Sequence, residues 1–340
     1  MSLSRPVKFP LLKLPWLCMK CVLHNSDEFI LIYFATISNR TRRIVRSSNY
    51  PLKEIDVYPN GSKQIGLGHQ KYWQFTCHMY EDGVSLVLQR NYLPLRTRQN
   101  FEFWMGPYLQ SCTTGDTPNA LKMGIEFMID VFGCTVRYIC VAGNELSELF
   151  GLGISSAKVL RIDGHEPVNL TDLKYLLENV KVTEKYVIYA QIPKAFYCEP
   201  QTFKCQQLFF FGEHSADWVT LELLCLFDVS QLNFSYHRFS VENIITYVTQ
   251  WFNSENRKLE YLHIDFNKPI SLEDFKIDHL NPMPFCEKRR SRRALHKSWP
   301  QTDMSKGKDI LRQDGLLATL YAYPSSIFFY VWHKRFSDAI

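Results

Sequence analysis

Apolar residues recur at helical spacing in several stretches of this chain, and short β-prone runs separate most of them. Leu121, Ile125, Met128, Ile129 and Phe132 keep the i, i+3, i+4, i+7 pattern, behind Thr117-Pro118 as N-cap and first turn. Leu170, Leu173, Leu176, Leu177 and Val180 repeat it, as do Trp218, Leu221, Leu224 and Cys225. Val241, Ile244, Ile245, Val248 and Phe252 repeat it most cleanly, with Ser240 as cap. Near the start, Leu17, Val22 and Leu23 are assigned to one face of a helix opening at Pro15, with Cys18, Met19 and Cys21 widening the stripe. Asp27 and Glu28 then suit the N-terminus of a second helix carrying Phe29, Ile30, Ile32, Tyr33 and Phe34. So short a segment cannot bury that much apolar surface alone. It reads as half of an interface, although a terminal hairpin packed on the main domain has the same pattern.

The β-prone runs share a frame. Leu259-x-x-Leu262-x-Ile264-x-x-Asn267 and Val136-x-x-Ile139-x-Val141-x-x-Asn144 fit the leucine-rich repeat pattern. Val229-x-x-Leu232-x-Phe234 and Cys205-x-x-Leu208-x-Phe210 keep its apolar part, while Ala157-x-x-Leu160-x-Ile162 and Glu184-x-x-Val187-x-Tyr189 fit less well. The expected fold is α/β, or α+β over the whole chain: a helical N-terminus over 1–48 and a small antiparallel sheet over 49–118. An irregular leucine-rich-repeat-like solenoid follows over 119–280, then a basic, Pro-rich loop over 281–308 and a β-hairpin segment over 309–340. A non-repetitive α/β domain would show the same alternation. If the repeat holds, Arg161, Tyr186, Phe209, Phe211, Asn233, Tyr261 and His263 face an open concave surface suited to a protein target.

Composition narrows the function classes. The 340 residues are 46% hydrophobic, 21% charged and 14% aromatic, which is globular, and the net charge of +5 demands no polyanionic partner. The run Lys288-Arg289-Arg290-Ser291-Arg292-Arg293 suggests a solvated loop, with a nuclear-localisation or nucleic-acid patch as the sharper reading. The ten cysteines form no framework, so an intracellular, reduced protein of cytoplasm or nucleus is expected. Cys18-x-x-Cys21 lacks a second pair, so no metal or cofactor is expected. No apolar run reaches membrane-spanning length, and no G-x-S-x-G, P-loop or H-E-x-x-H motif points to an enzyme.

Four segments in order carry a family resemblance. They are Phe9-Pro10-Leu11-Leu12-Lys13-Leu14-Pro15 with its Arg40–Val45 ending, the run 169–188, the runs 218–227 and 239–264, and the closing 309–323 with 328–333. Together they resemble the large nematode family that joins an N-terminal F-box to a type 2 F-box-associated domain. The resemblance implies a non-catalytic adaptor that binds Skp, and through it cullin, while its second domain binds a protein target for ubiquitination. By that analogy Leu14, Pro15, Val22, Leu23, Phe29 and Ile32 would contact Skp. Trp16-Leu17-Cys18 stand where the family usually has an acidic residue.

Overall fold

Pro15 and oxygen caps at Asp27 and Ser38 divide the N-terminal segment into three short helices: α1 (Trp16–His24), α2 (Glu28–Ile37) and α3 (Asn39–Ser48). In this computed structural model the described residues are 11–61, 63–68, 71–77, 89–91, 108–113, 117–235, 238–266, 268–294 and 302–333. Phe9, Pro10 and Asn267 lie outside them, as does much of the segment 78–107 where part of the small sheet was expected. Asp27 accepts from the Phe29 amide, as its position predicts. Ser38 and Thr41 form a reciprocal capping box, so the basic ending is itself a helix.

The chain divides into two units, 1–137 with 151–153, and 138–150 with 154–340. In the first, Met19, Leu23, Leu31, Ala35 and Val45 bury together with Val131 of α4 (Thr117–Phe132). Each of these side chains except Ala35 contributes about 1.5–3 kcal/mol on leaving water. Thus α4, grouped with the repeats in the sequence division, packs with the N-terminal helices, because Val131, Phe127 and Phe132 complete their core. Arg46 pairs with Asp130 at 2.8 Å, and Lys71 holds both Asp27 and Glu28. The unit's strands are β1 (Glu54–Tyr58), β2 (Gln64–Gly66), β3 (Tyr72–Cys77), β4 (Gln89–Asn91) and β5 (Tyr108–Thr113). They are mixed where an antiparallel sheet was expected: β1–β2, β2–β3 and β4–β5 are antiparallel, but β3 and β5 run parallel.

The second unit is built on six parallel strands paired in chain order: β6 (Thr135–Ala142), β7 (Ser156–Asp163), β8 (Lys181–Ile188), β9 (Gln207–Phe210), β10 (Gln231–Phe234) and β11 (Tyr261–Asp265). Parallel neighbours need a crossover. It is α5 (Leu170–Asn179) between β7 and β8, α6 (Leu221–Leu226) between β9 and β10, and α7 (Val241–Asn253) between β10 and β11. Trp218, expected in the α6 stripe, precedes that helix, while Ser240 caps α7 as read from sequence. Ile139, Leu160, Tyr186, Leu208, Leu232 and Leu262 stand in register and are buried. The anchor in β8 is Tyr186, one residue before the expected Val187. Ala157 pairs with Val182 but Val159 with Lys185, so β8 carries an extra residue at that point, and its buried positions are Val182, Tyr186 and Ile188. Chain approach is tight at Gly212, where an added Cβ would lie 1.7 Å from the Tyr189 carbonyl oxygen.

The sheet ends in a meander. β14 (Lys308–Leu311), β15 (Leu317–Tyr323) and β16 (Ser326–Trp332) follow the short pair β12 (Arg293–Ala294) and β13 (Thr302–Asp303), and β16 pairs antiparallel with β11. The closing segment is therefore three strands. Arg290, in the run expected to be solvated, is fully buried. Its Nε donates to Asp309 Oδ1 at 2.7 Å, and its other nitrogens donate to the Ser291 and Met304 carbonyls at 2.9 Å. The guanidinium lies over Phe285 and Trp332. Thr319 Oγ1 donates to the same Asp309 oxygen at 2.8 Å while accepting from Trp332 Nε1. Arg289 also reaches Asp309, and Arg292 pairs with Asp303. A buried carboxylate on β14 needs a cation, and the basic run supplies it. That use removes much of the run as a nucleic-acid patch.

Removing one partner strands a buried charge. Asp309→Ala should lower the urea unfolding free energy by about 3–5 kcal/mol, whereas Arg290→Met with Asp309→Leu should recover most of that loss.

Candidate functional site

Two surfaces bear on function, one in each unit. In the first, α1 buries Met19 and Leu23, an i, i+4 pair, so the opposite side faces solvent. Leu17 is 73% exposed, and Trp16, Val22, Cys18 and Cys21 are exposed too. Sequence spacing placed Leu17 and Val22 with Leu23, but Leu23 alone of these three enters the core. The reason is geometric: residues five and six apart lie on different sides of a helix.

α2 is apolar almost all round, and packing resolves its phase. Phe29, Leu31, Ile32 and Ala35 are buried. Ile30, Tyr33 and Ile37, at i, i+3 and i+7, remain 50%, 54% and 60% exposed. These three form an apolar stripe on the solvent side of a helix. Such a face is uncommon outside interaction sites. Of the six residues assigned to adaptor contact, Pro15 and Val22 are exposed and Leu14 half-buried. Leu23, Phe29 and Ile32 are buried within the chain, which corrects their assignment as contact residues. Ile30, Tyr33, Ile37, Trp16 and Leu17 are the accessible ones. A polar face would have set the helix phase in the sequence, and α2 has none.

In the second unit, the sheet face opposite the buried row carries Cys140, Arg161, Val187, Phe209, Asn233, His263 and Phe328 across neighbouring strands. Four of the seven expected target residues lie on this face but are buried: Phe209, Asn233, Tyr261 and His263. Rings pack on one another there. His263 stacks on Phe328 with centroids 4.5 Å apart, Phe209 lies 5.7 Å from Phe211, and the Lys185 ammonium sits 4.9 Å from the Phe209 centroid. Tyr186 is buried on the other face, in the core row with Val182 and Ile188.

Half-buried residues on this side include Arg161, Val187, Tyr189 and Phe211, along with Cys140 and Phe328. Arg161 Nε donates to Asp163 at 2.6 Å and its guanidinium lies 4.6 Å from the Tyr189 centroid, itself 5.5 Å from Phe211. Burial pulls the Arg161 pKa down, but the hydrogen bond and charge of Asp163 outweigh it and the net shift is upward. The Cys140 thiol beside them is pushed up to about 11, first by burial and then by Asp163, so it is a poor nucleophile at neutral pH. Arg161 and the two rings thus form one guanidinium–aromatic patch. Among the described residues, no group of three or more His, Cys, Asp or Glu side chains is placed to hold a metal ion. No described helix is long and apolar enough to cross a membrane.

Residues 199–264 match the F-box-associated family. The F-box-associated region spans β9, α6, β10, α7 and β11, the most regular strand–helix part of the second unit. No curated protein and no solved structure shows a match. The match suggests a protein-interaction module. Its buried core row includes Leu208, Leu232 and Leu262, while Phe211 lies at its accessible edge.

Exposure and burial along one helix give a direct check. Ile30→Asp with Ile37→Asp should leave the melting temperature nearly unchanged, since exposed sites shift stability by about 0.5 kcal/mol or less. Ile32→Ala, two residues from Ile30, should cost about 2–5 kcal/mol in the same denaturation measurement.

Proposed function

We propose that this protein is a non-catalytic substrate-recognition subunit of a Skp–cullin ubiquitin ligase. The α1–α2 surface docks Skp, and the second unit binds a protein target. The observation that carries the reading is the exposed Ile30–Tyr33–Ile37 stripe beside Trp16 and Leu17, in a chain whose later part matches an F-box-associated family. Tethering target and ligase on one chain raises the local concentration of target lysines near the conjugating enzyme without an active site here. In this reading the six parallel strands are a leucine-rich-repeat-like stack. The target meets Arg161, Val187, Tyr189 and Phe211, where planar guanidinium and ring faces are the usual anchors of an interface.

A second reading is a protein-binding module that acts outside any ligase. It is favoured by the family match ending well short of the N-terminal helices. Recovery of Skp separates the two. Tagged full-length protein should retain Skp through affinity purification, and Leu17→Asp, Ile30→Asp and Ile37→Asp together should reduce recovery by roughly ten-fold or more. Arg161→Ala with Phe211→Ala should leave Skp recovery intact. Wild-type protein that recovers no Skp, or a triple variant that recovers it equally well, contradicts the ligase reading.

A further inference from the structure

Helix α3 carries four arginines and spends two of them internally. The Arg42 guanidinium lies 5.2 Å from the Phe127 centroid, and Arg46 pairs with Asp130. Arg40 and Arg43, at i and i+3, are exposed, and among the described residues neither meets a carboxylate. Both line a cleft of about 460 Å³ with Trp16, Asn39, Ile44 and Ser47. Trp16 and Ile44 give it apolar walls, and the two guanidinium groups give it charge. The stripe on α2 ends at Ile37, one residue before the cap of α3, so it leads along the chain into this cleft.

Local charge balance does not relieve these cations. Between residues 11 and 48 there are six lysines and arginines against Asp27 and Glu28. Both carboxylates are already held by Lys71. We infer that the Trp16–Arg40–Arg43–Ile44 cleft receives an acidic, amphipathic segment of a protein partner, with an apolar side chain between Trp16 and Ile44 and carboxylates on the two guanidinium groups. Arginine favours such partners because its planar fork matches a carboxylate through two parallel hydrogen bonds. Phosphates of a nucleic acid would satisfy the charge but would leave the apolar walls unused. The inference rests on the reading of these helices as a docking face, and it specifies the chemistry of what docks.

The test uses the full chain and a fluorescein-labelled amphipathic helix of Glu, Leu and Ala, with a Lys-for-Glu counterpart and a single-stranded oligonucleotide as controls. In anisotropy titrations the Glu peptide should bind and the Lys peptide should not. Arg40→Glu with Arg43→Glu should weaken the Glu peptide by roughly ten-fold or more at an unchanged melting temperature. Raising salt from about 0.05 to about 0.5 M should weaken it several-fold. Equal binding of both peptides, indifference to the double charge reversal, or tighter binding of the oligonucleotide overturns the inference. If Skp recovery fails while the Glu peptide still discriminates, the ligase reading falls and the acidic docking site stands. If Skp is recovered but neither peptide nor charge reversal discriminates, the opposite holds.

Discussion

The apolar row along the parallel strands is the constraint that the second unit obeys. Ile139, Leu160, Tyr186, Leu208, Leu232 and Leu262 stand side by side, and each must be kept from water by the crossover that follows or precedes its strand. Strands buried in this way tolerate no one-residue slip, because a slip would turn every side chain to the opposite face. The single irregularity, in β8, is absorbed by one extra residue, and the register is regained by β9. The meander after β11 closes the row with Phe329 opposite Leu262. Arg290, Asp309, Thr319 and Trp332 then tie the preceding segment to that meander through charge and hydrogen bonding.

The first unit has the opposite character. Its helices are short, and short helices are held by tertiary packing more than by propensity. Met19, Leu23, Leu31, Ala35 and Val45 supply that packing with α4. What remains on α1 and α2 is a surface of Trp16, Leu17, Ile30, Tyr33 and Ile37, more apolar than solvent exposure alone favours. A folded bundle with an exposed apolar stripe and two arginines that meet no carboxylate among the described residues suits a docking element. The sheet unit, with a largely closed aromatic face and a small accessible edge at Arg161 and Phe211, suits selective recognition.

Local signals in the sequence located most elements. Asp27 and Ser240 mark helix starts through their side-chain oxygens, and the alternation at 136–141, 229–234 and 259–264 marks strands. The readings that failed depended on information the local pattern does not carry. Segment 28–37 is apolar on every side, so nothing in it distinguishes Ile32, which is buried, from Ile30, which is not. In β8 the buried positions are Val182, Tyr186 and Ile188, so the repeat frame laid on Glu184, Val187 and Tyr189 sets the anchor one residue late. Arg290 reads as one more surface cation until Asp309, nineteen residues later, is seen to need it. Phe209, Asn233, Tyr261 and His263 share one face of the sheet, as their spacing implies, but spacing says nothing of how closely rings on that face shield one another.

Backbone amide exchange of the full chain, with and without Skp, tests the central claim most directly. The account predicts new protection in α1 and α2, centred on residues 16–37, with β6 to β11 unchanged. Protection confined to the sheet unit, or none anywhere at saturating Skp, would contradict it.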